Sequence, residues 1–266
     1  LVQGVREHSG NSSRGNAMPL VSSTNTVPAT RSESGSPSPV GTDYGYIGGG
    51  DAYNTSIERI DFSNDTPALS SHVSYLTNAT QGITGSASVS YGYFAGGWPS
   101  PSNSLVDRLD FSSDTTNTVA RGTLASARRW GHSVGNNSFG YHGGGYPGIS
   151  SNDRIDYSND TPTAVEKGQL ATGVNGGAGA GNQSYGWIAG GQDSSPAEIS
   201  SVQRLDYSND TATLTVKGPI NVARYYAAGS SNSDYGWYGG GVNGSLVDRI
   251  DYSNDTPTAS PKGPLS

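Results

Sequence analysis

The chain has no cysteine and a single methionine among its 266 residues. A disulfide framework, a thiolate metal site and a thiol nucleophile are therefore all excluded. Positive charge is also scarce, with 15 Lys and Arg against 22 Asp and Glu and a net charge of -7. The basic stripe that displaces counterions from a phosphate backbone is missing, which argues against a nucleic-acid partner. No apolar run approaches the roughly 20 residues of a membrane span, so no membrane insertion is expected. Material for long helices is lacking too, because 39 Gly and 14 Pro interrupt the sequence throughout. What remains is 16 Tyr, 4 Trp and regularly spaced Leu, Ile and Val, enough to build repeated small cores and to argue against disorder of the whole chain.

Internal repetition is the strongest positive signal. An aromatic, Gly, a second aromatic and a closing Gly-Gly recur as "YGYIGGG" at Tyr44, "YGYFAGG" at Tyr91, "FGYHGGG" at Phe139, "YGWIAGG" at Tyr185 and "YGWYGGG" at Tyr235. A second motif follows each: "ERIDFSNDT" at Glu58, "DRLDFSSDT" at Asp107, "DRIDYSNDT" at Asp153, "QRLDYSNDT" at Gln203 and "DRIDYSNDT" at Asp248. The segment between the two motifs varies in length, whereas Leu76 to Tyr91, Leu124 to Phe139, Leu170 to Tyr185 and Ile220 to Tyr235 each span 15 residues. A fixed framework carrying free loops has this signature.

Each unit reads as four short strands. A small, Gly- and Ala-rich strand such as "GAGAG" comes first, the aromatic-Gly run second, "VDRIDYS" third and a strand such as "TLTVKGPI" fourth. In the third strand, Leu109 and Phe111 point one way, expected to face the next blade, while Arg108 and Asp110 point the other. The "SNDT" segment after it is a turn, since Asn and Asp side chains bond backbone groups two residues on. Four strands every 40 to 50 residues or so describe a propeller blade. The predicted fold is all-β, a β-propeller of five four-stranded blades, with small side chains on the first strands where blades converge at the axis.

Small residues and an Arg before strand one ("ARRWGHSVG", from Ala127), an aromatic second strand closing on Gly-Gly, and a third strand ending in Asp or an aromatic resemble the kelch repeat. The resemblance covers five units, and departs from kelch on strand four, where Val119, Val165 or Leu214 stands in place of the Trp usual there. The wording "YGYFAGG...DRLDFSSDT" is also similar to repeats of virion structural and tail-fibre proteins of marine cyanobacterial phages. That similarity implies a virion location, virion partner proteins and a host-surface glycan or protein as ligand.

Residues 1–27 are read as a linker, or as a segment that adds a strand to close the ring or tethers it to other virion proteins, and 28–266 as the propeller, with repeats at about 28–76, 77–124, 125–170, 171–220 and 221–266. "AMPLVSS" near Met18 is similar to the "KGPLS" that ends at Ser266 and could be a strand of an earlier blade. The opening "LVQGVREHSG", with neither initiator Met nor the apolar core of a signal peptide, reads as a processed chain or a piece of a longer one.

The repeated Arg and Asp, such as Arg154 and Asp156, lie two apart on one strand face, where each pair can bond across to a neighbouring blade or to loop carbonyls, and are open to two readings. Five near-equal copies fit a structural network better than a catalytic site, because chemistry seldom needs five equivalents and buried charges must be paired. "SNDT" offers oxygen ligands for calcium, but the turn reading is favoured. His8, His72, His132 and His142 form no close metal-binding pair in sequence, and His132 is expected to pack in strand one. No nucleophile motif or phosphate cradle is present, so neither an enzyme nor a cofactor is predicted. Polysaccharide degradation on a propeller scaffold, or a purely architectural spacer, stand as the alternatives. The loops that do not repeat carry the candidate binding residues: Tyr53, Trp98, Arg128, Trp130, Tyr146, Tyr225 and Tyr226. The loops between strands two and three and those entering strand one are expected on one face, where these side chains would suit a sugar or a protein epitope.

Overall fold

Gly-rich aromatic runs and Arg-Asp runs, each too short to bury both of their faces alone, pair here into five antiparallel sheets of four strands. The computed structural model describes residues 26–28, 44–50, 54–64, 70–98, 102–242 and 244–265, with the backbone alone at 26–28 and 70–72. Blade 1 contains β1 (Thr26–Pro28), β2 (Tyr44–Gly48), β3 (Asn54–Asp61) and β4 (Ser70–Thr80). Blade 2 contains β5 (Thr84–Ala87), β6 (Tyr91–Ala95), β7 (Leu105–Asp110) and β8 (Val119–Thr123). Blade 3 contains β9 (His132–Gly135), β10 (Phe139–Gly143), β11 (Asn152–Asp156) and β12 (Val165–Lys167). Blade 4 contains β13 (Ala178–Gly181), β14 (Tyr185–Ala189), β15 (Val202–Asp206) and β16 (Thr215–Lys217). Blade 5 contains β17 (Ala228–Ser231), β18 (Tyr235–Gly239), β19 (Val247–Asp251) and β20 (Ser260–Lys262). Within every sheet the strands lie side by side in chain order, the meander of a five-blade β-propeller. Strand β1 begins at Thr26, inside the segment read as a tether, and the "AMPLVSS" stretch lies outside the described residues.

The innermost strands β1, β5, β9, β13 and β17 pack in succession. Their small residues are a steric requirement: a Cβ on Gly179 would sit 2.0 Å from the Ser133 carbonyl oxygen of the blade before. The Gly-Gly that ends each second strand has the same necessity in its backbone. Gly96 and Gly97 adopt φ of 74° and 108°, a region that side-chain-bearing residues avoid, and Gly97 N–H donates to the Arg128 carbonyl at 2.7 Å.

Register explains the repeated Arg. Tyr46 lies opposite Arg59, Tyr93 opposite Arg108, Tyr141 opposite Arg154 and Trp187 opposite Arg204, so each aromatic and Arg share one face of their sheet. Both reach the same carboxylate on the next blade. Tyr141 Oη donates to Asp210 at 2.9 Å and Arg154 at 2.7 Å; Trp187 Nε1 donates to Asp255 at 2.8 Å and Arg204 at 3.0 Å. Asp114 and Asp160 are held in the same way by the blades before them. A second cation from strand four completes three of these sites, through Arg121, Lys167 and Lys217. Beside each carboxylate two rings stack across the boundary: Tyr46 on Phe111, Tyr93 on Tyr157, Tyr141 on Tyr207 and Trp187 on Tyr252, at 5.2, 4.8, 5.2 and 3.8 Å between centroids. Aromatic pairs at such distances contribute about 0.5–1.5 kcal/mol beyond their burial.

Two expectations are corrected in detail. Arg154 pairs with the turn Asp210 of the following blade, while Asp156 accepts from the Ser158 N–H and Oγ at 2.9 and 2.6 Å and shapes its own turn. The aromatic that ends strand three faces the preceding blade, as Phe111 does against Tyr46, because Arg and its strand partner occupy the other face.

Candidate functional site

The loops between second and third strands meet the segments that enter the first strands, all at one end of the blades. Gly97 N–H reaches the Arg128 carbonyl, Gly145 N–H that of Val174, and Gly191 N–H that of Arg224, so each loop is fastened to the next blade. At the centre of this face lies a chain of residues two positions ahead of each inner strand. Trp130 N–H donates to the Gly82 carbonyl at 2.7 Å, Gly176 N–H to that of Trp130 at 2.6 Å, and Tyr226 N–H to that of Gly176 at 2.8 Å. All four residues are left-handed, with φ of 66° at Gly82, 54° at Trp130, 64° at Gly176 and 58° at Tyr226. Glycine accepts that conformation freely, whereas a bulky side chain there is strained by about 1–3 kcal/mol. The consequence is geometric. The Trp130 ring lies over Gly82 and the Tyr226 ring over Gly176, where a glycine Cβ would meet ring atoms at 2.4 and 2.7 Å.

Around this axis the other rings gather. Trp130 meets Tyr146 edge-on at 5.8 Å and Tyr226 at 6.1 Å, and Tyr225 lies 4.5 Å from Tyr226. Arg129 occupies the middle, its guanidinium 3.8 Å from the Trp98 ring centroid, 4.5 Å from Tyr146 and 4.6 Å from Trp130. Cation–π contacts at such distances contribute about 0.5–2 kcal/mol each and hold Arg129 in one pose. Burial, and then the neighbouring Tyr225, push the Tyr226 hydroxyl above its ordinary range, so it stays protonated and able to donate. The result is a rigid apolar surface rimmed by hydroxyl and guanidinium groups.

Of the residues expected at this site, the structure brings together Trp98, Trp130, Tyr146, Tyr225 and Tyr226, with Tyr146 49 % exposed and the others half-buried. Tyr53 lies outside the described residues. Arg128 is corrected: its side chain is fully buried, paired with Asp153 at 2.8 Å and donating to the Gly144 carbonyl at 2.7 Å, so it is a framework residue. Arg224 does the same in blade 5 with Asp248 at 2.6 Å. Sequence reasoning missed Arg129. Aligning "ARRW" with "ARYY" shows the signal, because Arg128 and Arg224 share one column and Arg129 falls in the column of Tyr225.

No family model matches the chain, and no curated protein does. Among solved structures it is similar to YjhT, with a TM-score of 0.69 at 13 % identity, the match covering 84 % of this chain and 82 % of that one. At that identity the likeness establishes the propeller fold and nothing about ligands.

Two clefts between blades lie at the opposite end, one of about 150 Å³ lined by Arg154, Asp160 and Pro162, the other of about 440 Å³ lined by Tyr91, Phe139 and Tyr157. Neither includes a residue of the aromatic surface. Among the described residues no three His, Asp or Glu side chains converge as metal ligands. His132 and His142 are buried in blade 3; His142 bonds Thr84 Oγ1 at 2.6 Å and Ser86 Oγ at 2.9 Å in the blade before. His8 and the His72 side chain fall outside the described residues.

Proposed function

We propose that this protein is a non-enzymatic recognition propeller of a virion surface, part of a tail fibre or decoration structure, that adheres to a host-surface glycan. The observation that carries the reading is the strained backbone at Trp130 and Tyr226. Two blades accept about 1–3 kcal/mol each to lay a ring across the axis where two others have glycine. Strain of that size persists where it serves a site. A sugar offers an apolar C–H face to such rings and hydroxyls to the rim, here the Arg129 guanidinium and the Tyr146, Tyr225 and Tyr226 hydroxyls. The virion setting rests on the resemblance of the repeats to phage fibre proteins, and the kelch-like motifs agree with the propeller. A non-enzymatic reading is supported by the repeated carboxylates being engaged: among the described residues the turn carboxylates Asp114, Asp160, Asp210 and Asp255 receive donors of the preceding blade, and strand-end ones such as Asp156 and Asp206 are held by their own turns.

Glycan-array binding by the wild type and by Trp130→Gly tests the reading. Gly is what blades 2 and 4 carry at this place, so the variant should fold with nearly unchanged stability and lose binding. Binding retained in Trp130→Gly would remove the aromatic surface from the function. Depolymerisation of a bound polysaccharide would replace adhesion by an enzymatic role.

A further inference from the structure

The two clefts at the end away from the aromatic surface belong to one blade boundary, that between blades 2 and 3, and Asp156 lines both of them. A difference in sequence opens the larger one. Where blades 3 and 4 meet at this end their turns are bridged: Gln183 Nε2 donates to Asn137 Oδ1 at 3.2 Å, and the Asn137 N–H donates to Gln183 Oε1 at 3.2 Å. Blade 2 has Val89 in the column of Asn137 and Gln183, a side chain with neither donor nor acceptor, 39 % exposed in the turn whose Ser88 and Ser90 line the cleft. The turns of blades 2 and 3 thus stand apart around a space of about 440 Å³, within the roughly 300–1,000 Å³ of ordinary ligand sites.

Three rings, Tyr91, Phe139 and Tyr157, wall this cleft, and Asn137, Ser138 and Ser158 rim it. The smaller cleft, of about 150 Å³, is apolar along Val106, Ile155, Pro162 and Ala164. Between the two stands the Asp156 carboxylate, whose Oδ1 accepts from the Ser158 N–H and Oγ at 2.9 and 2.6 Å. The Ser158 hydroxyl above all, with a smaller share from the nearby Arg154 charge, holds this carboxyl below the usual carboxylate range, so it is a fixed anion at neutral pH. The other charges that line the clefts are matched within the protein. Arg154 is held by Asp210 at 2.7 Å, and Asp160 is held by Arg108 at 2.8 Å and Arg121 at 3.5 Å.

We infer that the two clefts together dock an extended segment of a partner protein that carries a Lys or Arg two positions from an apolar side chain. Alternate side chains of an extended segment share one face, so the cation meets Asp156 and the rings while the apolar side chain enters the smaller cleft. Hydroxyl and amide groups of Ser158, Ser138 and Asn137 lie at the rim to bond the backbone of the segment. A glycan suits the place less well. Its hydroxyls would lose water against Val106, Ile155 and Ala164 without gaining partners, and a neutral sugar brings no charge to Asp156. The site is separate from the aromatic surface at the far end of the blades and independent of any glycan bound there.

Amide chemical shifts of the full, isotope-labelled chain test the inference during titration with the capped pentapeptide Leu-Ser-Lys-Ser-Leu. The amides of Asn137, Ser158 and Ala164 should move, and that of Tyr226 on the aromatic surface should not. Gln in place of Lys in the peptide should weaken binding about fivefold, the share of a partly exposed ion pair, and Glu should abolish it. Asp156→Asn should erase the difference between the Lys and Gln peptides at an unchanged melting temperature, because an Asn oxygen still accepts from Ser158. Ser138→Lys, at an exposed position on the rim, should weaken the Lys peptide without touching that turn, and decides the matter if Asp156→Asn loses stability. Unmoved amides at millimolar peptide, or equal binding of the Lys and Gln peptides to the wild type, overturn the inference. Maltotriose shifting the same amides more strongly than the Lys peptide would put a sugar in place of the protein segment and overturn it equally.

Discussion

Asp210 receives the Tyr141 hydroxyl, the Arg154 guanidinium and the Lys167 ammonium, all from the blade before it. Burial alone would raise its pKa, but these donors outweigh burial and hold it below the usual carboxylate range. Arg154→Met removes one donor and leaves a largely buried carboxylate with less compensation. The expected cost is about 1–3 kcal/mol, seen as a lower midpoint in denaturant titration with an unchanged slope. Histidine gives a separate pH dependence. Burial, aided by the nearby Arg128 charge, brings His132 and His142 down from 6.5 to about 3. The unfolded chain therefore takes up protons below about pH 6.5 that the folded chain refuses until about pH 3. Stability is complete above pH 6.5 and falls as pH drops toward 3, whereas the contribution of Asp210 is lost only below its unfolded pKa near 3.8. Melting temperatures measured from pH 7 to pH 4 should decline, and His142→Gln should flatten that decline; an equal slope in the variant would remove His142 as a cause.

At the level of strands and loops, the left-handed column ahead of each inner strand determines what the propeller end presents. Gly82 has φ of 66° and its absent Cβ leaves room for the Trp130 ring. Gly82→Ala should therefore cost about 1–2 kcal/mol for the backbone and displace that ring, whereas Trp130→Gly relieves strain at the neighbouring position. Comparing the two in thermal melts and in glycan binding separates backbone from surface: both should lose binding, and only Gly82→Ala should lose stability. This column is visible in the sequence only by alignment, since Gly82, Trp130, Gly176 and Tyr226 each precede the aromatic of strand two by the same interval. Nothing in local pattern says that a Trp there is left-handed. The strands themselves were legible because period-two alternation and Gly-Gly stops are local, as in Leu109, Phe111 and Gly96. Which neighbour a face meets was not, because alternation defines two faces without saying which looks forward; so Phe111 was assigned to the wrong side and Asp156 to the wrong partner. Arg128 was misplaced for a related reason, because one strand-entry segment sends Arg128 inward and Arg129 outward, and adjacent positions carry the same residue type.

For the molecule as a whole, stability follows the order of blades, because each blade contacts its neighbours and the boundary unit is nearly the same each time. Blades 2, 3 and 4 have both faces covered by such units, while among the described residues no ring stacks across from Phe62 of blade 1 or from Trp237 of blade 5. In a ring closed by a fifth equal boundary, amide hydrogen exchange would be similarly slow in all second strands. With a boundary there that lacks the stacked pair of rings, opening costs less at the ends, and protection should fall from β10 and β14 toward β2 and β18. Measured in dilute solution, β18 should exchange faster than β14 even though the two strands differ little in sequence, "YGWYG" against "YGWIA". Equal protection of β14 and β18 would mean that the fifth boundary is as strong as the other four.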